Sequence, residues 1–117
     1  MKSADFTLNL AIVIGINNYQ DGIPALGTAR QDAEAIAKIL ERDYHYQVHL
    51  ITDSDATREK IKRWLETDLP AAMAGADSSR LIFYFAGHGV ALNGDDGPAG
   101  YLSPQNGRLG DVNTYLP

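Results

Sequence analysis

An α/β fold is predicted, a mostly parallel sheet flanked by helices with strand order 2-1-3. Three observations predict it. Leu81–Ala86 is an unbroken run of six apolar or aromatic residues, and Leu8–Gly15 is nearly as apolar. Such runs suit strands buried on both faces, as in the middle of a parallel sheet. The stretch between them carries helical periodicity on either side of a weaker, alternating segment, Tyr46–Thr52. Strand, helix, strand, helix, strand follows, and right-handed crossovers make the strands parallel.

The first strand, 8–15, ends on Gly15, and Ile16 to Pro24 is rich in turn formers and reads as a loop. A strand ending in glycine suggests a dinucleotide fold, but the G-x-G-x-x-G fingerprint is missing. Thr28-Ala29-Arg30-Gln31 fits a capping box with Thr28 as N-cap. Ala33, Ile36, Ala37 and Leu40 then repeat at the spacing of an amphipathic helix. Asp32 falls in its first turns, where a carboxylate favours the positive helix end by about 0.3–1 kcal/mol. Arg30 is expected on the surface.

Tyr46, Val48 and Leu50 alternate with Gln47, His49 and Ile51, so this less apolar strand belongs at an edge. His45 and His49, on one strand, would lie roughly 13 Å apart, too far to share a metal ion, and are expected to face solvent. Thr57 is a candidate N-cap for a second helix carrying Ile61, Trp64 and Leu65, continued after Pro70. Residues 93–100 are too glycine-rich for regular structure; 101–104 form a short extended segment, and 107–117 lack periodicity.

The strand at 81–86 stops at Gly87-His88-Gly89. Two glycines let the backbone turn and leave it open to a substrate, and between them sits the side chain best suited to moving protons near neutral pH. A histidine between glycines can equally fill a turn. In the order 2-1-3 the crevice opens between strands one and three, beyond their carboxyl ends. His88 and Asp32 then converge there by topology.

With 117 residues, the chain is one domain or part of one. A net charge of −5 with no basic cluster argues against nucleic acid as a partner. No apolar run reaches the roughly 20 residues of a membrane helix, and Met1–Asp5 lacks a signal peptide's apolar region, so a soluble, cytoplasmic protein is expected. The cysteine count is zero, which excludes disulfides, thiolate metal sites and a cysteine nucleophile within these residues. A metal-dependent hydrolase finds no H-x-H or H-E-x-x-H partner for His88.

Three motifs resemble the caspase-like cysteine peptidases, in particular the bacterial caspase homologues and metacaspases. Ile12–Tyr19 (IVIGINNY) looks like the family's first strand and loop, Leu26–Leu40 (LGTARQDAEAIAKIL) like its first helix, and Tyr84–Gly89 (YFAGHG) like its catalytic-histidine motif. The resemblance implies a three-layer caspase-like fold, of which residues 1–117 are the N-terminal portion. It implies a cysteine–histidine dyad acting on a protein or peptide substrate, with His88 as base and the Gly89 N–H at the oxyanion. Leu26 stands where true caspases carry the arginine that selects aspartate. Asp32 matches the acidic residue that lines the metacaspase pocket for arginine or lysine. Calcium activation occurs in some metacaspases, but Asp95 and Asp96 alone make no site, so no cofactor is expected in this chain. The family's nucleophile follows on a later strand. The chain is therefore expected to be a fragment that lacks the C-terminal part of its own domain, or a non-catalytic relative that serves as a scaffold. The open edge of the third strand is expected to self-associate.

Overall fold

In the computed structural model the described residues are 8–94 and 97–117. Met1–Asp5, Asp95 and Asp96 lie outside them. β1 (Leu8–Gly15), β2 (Gln47–Thr52) and β3 (Ser79–Ala86) form one parallel sheet in the order β2-β1-β3, as predicted. α1 (Ala29–Tyr44) joins β1 to β2, and α2 (Arg58–Arg63) and α3 (Leu69–Ala74) lie between β2 and β3. No described helix is long and apolar enough to cross a membrane.

β1 buries both faces because its side chains alternate between two cores. Leu10, Ile12 and Ile14 pack with Ile51, Ile61 and Leu69 on one side. Ala11 and Val13 meet Ala33, Ala37 and Tyr46 on the other. Gly15 serves close packing rather than a dinucleotide. A Cβ there would lie 2.5 Å from the Ala33 Cβ and 2.9 Å from the Ala29 carbonyl oxygen, so only glycine lets α1 settle on the end of β1.

Between α2 and α3 the backbone widens into a single π turn at Trp64–Asp68. Pro70 explains it: proline lacks an N–H and its ring crowds the carbonyl four residues earlier, here that of Glu66. The helix nonetheless continues past Pro70, as the sequence suggests.

Several expectations are corrected. β3 is not buried on both faces: Leu81 is 40% and Phe83 38% exposed, because β1 is its one sheet neighbour among the described residues. The described residues of the glycine-rich stretch after His88 are regular after all. β4 (Gly89–Gly94) and β5 (Gly97–Leu102) pair as an antiparallel hairpin. The tail is ordered too, with a bridge between Leu116 and Leu102 and with Tyr115 and Leu116 buried. Thr28 makes no side-chain cap; the Asn17 side chain reaches over instead and accepts from the Arg30 N–H at 3.0 Å. Gln31 accepts from the Asn17 amide rather than closing a capping box. Thr57 does cap α2, accepting from the Lys60 N–H. His45 ends α1 in the left-handed conformation instead of starting a strand. His49 is half-buried, its ring 4.3 Å from that of Trp64.

Candidate active site

The β1–β3 ladder closes with the Ile16 N–H donating to the Ala86 carbonyl, and the two chains then part at the carboxyl edge of the sheet. Residues 16–24 leave β1 and form one wall. Gly87, His88 and Gly89 leave β3 and form the other.

His88 is half-buried and held from the opposite wall by two contacts. Its Nε2 lies 2.8 Å from the Pro24 carbonyl oxygen. A carbonyl can only accept, so this nitrogen carries the proton and the lone pair of the neutral ring sits on Nδ1. Its backbone N–H donates to the Tyr19 hydroxyl at 2.7 Å, and the two rings meet edge to face with centroids 5.0 Å apart. Burial raises the Tyr19 phenol above its ordinary pKa; the His88 N–H lowers it and the Asp53 charge raises it again.

Gly89 opens β4 and is exposed. Its cross-strand partner Leu102 exchanges both backbone bonds with Leu116, while the Ser103 N–H donates to the His88 carbonyl. Gly89 and Leu102 thus form a non-hydrogen-bonded pair, and the Gly89 N–H points away from β5.

The 16–24 wall is itself anchored. Asp53 follows β2 in the left-handed region, φ 44°, a conformation aspartate tolerates better than most residues. Its carboxylate accepts from the N–H groups of Asn17 at 2.8 Å and Asn18 at 3.0 Å, and from the Arg30 guanidinium at 3.0 Å. Burial pushes this carboxyl up, but the Asn18 and Asn17 amides and Arg30 outweigh it and hold it below the usual range. Arg30 is therefore more than a surface residue: it ties α1 to Asp53.

Asp32 stands in the first turn of α1, exposed, its N–H donating to the Thr28 carbonyl. The 16–24 wall touches both His88, through Tyr19 and Pro24, and the start of α1, through Asn17. It brings the two elements to one rim, yet among the described residues no contact joins the Asp32 and His88 side chains. No group of three or more histidine and acidic side chains gathers among the described residues. Tyr19, Pro24 and Asp53 were not singled out by sequence. Tyr19 lies inside the IVIGINNY motif, Asp53 directly follows the alternating segment Tyr46–Thr52, and Pro24 acts through its carbonyl, which has no residue signature.

Chemically, the rim offers an imidazole with one nitrogen committed as a donor and the other available as a base. An outward-facing amide stands beside it.

Comparison with known proteins bears on this rim. A family profile described as the caspase domain matches residues 8–114. A crystal structure of a Geobacter sulfurreducens protein superposes with a TM-score of 0.64 at 21% identity, covering 87% of this chain and 41% of that one. At that identity it supports the fold alone. No curated protein matches the chain. With the match spanning nearly all of its length, and with His88 just beyond the third strand of a 2-1-3 sheet, the chain belongs to the caspase domain family.

Proposed function

We propose that this chain supplies the histidine side of a cysteine endopeptidase site. One observation carries the reading, the Nε2–H···O=C bond from His88 to Pro24, which leaves Nδ1 as the base. In the proposed cycle Nδ1 takes the proton of a cysteine thiol, and the thiolate attacks the scissile carbonyl carbon. The carbonyl π electrons move onto oxygen, where the Gly89 N–H and the cysteine's own N–H bind the oxyanion. Collapse of the intermediate breaks the C–N bond. The imidazolium returns its proton to the leaving amine, and water then releases the acyl group. None of the 117 residues is cysteine, so the nucleophile comes from outside them.

Asp32, an exposed carboxylate in the first turn of α1, suits a substrate arginine or lysine at P1. The open edge of β3, with Leu81 and Phe83 exposed beside it, suits the remaining strands of the same domain, and self-association where those are absent.

The test is cleavage of paired fluorogenic peptides, with arginine or lysine against aspartate at P1, by the full-length protein. His88→Ala should abolish cleavage after basic residues. Cleavage that survives the substitution would sink the role of His88, and cleavage after aspartate would sink that of Asp32. The alternative reading is a scaffold that keeps the fold without the chemistry. That reading predicts a full-length protein that cleaves neither peptide.

A further inference from the structure

We propose that Tyr19 is a positioning residue for His88, setting the backbone from which the imidazole projects; the proposal rests on His88 acting as the base. Beyond Ala86 the chain has left the β1–β3 ladder, and the amide of His88, two residues on, is caught by the Tyr19 hydroxyl at 2.7 Å. The same side chain backs the imidazole edge-on, with ring centroids 5.0 Å apart.

Two residues of one loop thus define His88 at two points. Pro24 fixes the rotation of the ring through Nε2, and Tyr19 fixes the peptide that carries it. Neither bond alone suffices. A ring tied only at Nε2 can pivot if its backbone drifts, and a fixed backbone leaves χ1 and χ2 free.

Three further features fit this role. The Tyr19 ring packs against the core formed by Leu10, Ile12 and Ile14, so the hydroxyl is delivered by a rigid lever. Gly87 leaves the room it needs, since a Cβ there would lie 2.5 Å from the Tyr19 oxygen. Asp53 holds the N–H groups of Asn17 and Asn18 just before Tyr19, which pins the lever at its base.

The experiment is nitrogen-15 NMR of the full-length protein labelled at histidine, followed across a pH series, with peptide cleavage measured in parallel. In the wild type, the neutral His88 ring should be protonated at Nε2. Tyr19→Phe keeps the aromatic ring and removes the acceptor. It should lower the fraction of that tautomer and reduce kcat about tenfold with KM nearly unchanged, as expected for a displaced catalytic group. Gly87→Ala, which pushes the hydroxyl away, should reproduce the change in tautomer; if it does not fold, Tyr19→Phe alone decides.

A tautomer ratio unchanged by Tyr19→Phe at every pH would overturn the proposal, even if the melting temperature fell. If His88→Ala abolishes cleavage while Tyr19→Phe alters neither readout, the positioning role fails and the peptidase stands. If the wild type cleaves nothing yet Tyr19→Phe still shifts the ring, the positioning role stands and the peptidase fails.

Discussion

β1 and β3 are both eight residues long, both apolar in sequence, and paired along their whole length from Leu8 with Ser79 to Gly15 with Ala86. Their surroundings differ. Leu10 to Gly15 are all buried, whereas Leu81 and Phe83 on β3 are more than a third exposed. β1 lies between two strands with a core on each face; among the described residues β3 has one strand beside it. An apolar run states what a strand requires, and only its neighbours decide whether the requirement is met. By that measure β3 has the composition of a central strand in the position of an edge.

The largest effect that would sharpen this contrast is Ile12→Ala in the 117-residue chain. Ile12 is fully buried, and truncation should cost about 2–5 kcal/mol, read from denaturant unfolding. Phe83, its register partner on β3, should cost clearly less per buried atom on truncation to alanine, about 1–2 kcal/mol, because more than a third of it already meets solvent. Equal losses would break the comparison and mean that β3 is covered in solution.

A smaller effect separates the two loops that leave these strands. The loop after β1 depends on the ionised Asp53 carboxylate; the turn after β3 has no such anchor among its described contacts. The Asp53 carboxyl is lowered in the folded protein, so its contribution is fully present above the unfolded value, near pH 4. It is lost as pH falls through the lower, folded value. Asp53→Asn should therefore flatten the dependence of the urea midpoint on pH below roughly pH 4 and leave its slope near neutrality unchanged. An acid dependence identical to the wild type would remove Asp53 as the anchor.

The parallel sheet, its order and α1 were legible in the sequence because they rest on periodicity, which the chain displays locally. His88 was legible because it interrupts an apolar strand between two glycines. The hairpin was not. Gly94, Gly97 and Pro98 carry turn-like signals, and only pairing across the hairpin makes a strand of each side. The start of α1 misled for a related reason: Thr28 and Gln31 have the right chemistry, but Asn17 competes from 13 positions away and takes the Arg30 amide. The Pro24 carbonyl is invisible by its nature, since every residue possesses one.

The long span between β1 and β3 also bears on how the chain is made. Ser79 is synthesised about 70 residues after the Leu8 with which it pairs. At roughly 5–20 residues per second, the first strand spends several seconds outside the ribosome before its second neighbour exists. For that interval a chain segment as apolar as Leu-Ala-Ile-Val-Ile has α1, β2 and the helices after β2 to cover it, but its edge toward β3 stays unpaired. Parallel pairings at such separation form slowly, since a long loop must close before any contact rewards it. The free edge of nascent β1 should therefore be a preferred site for chaperone capture, well before the rim around His88 has taken shape.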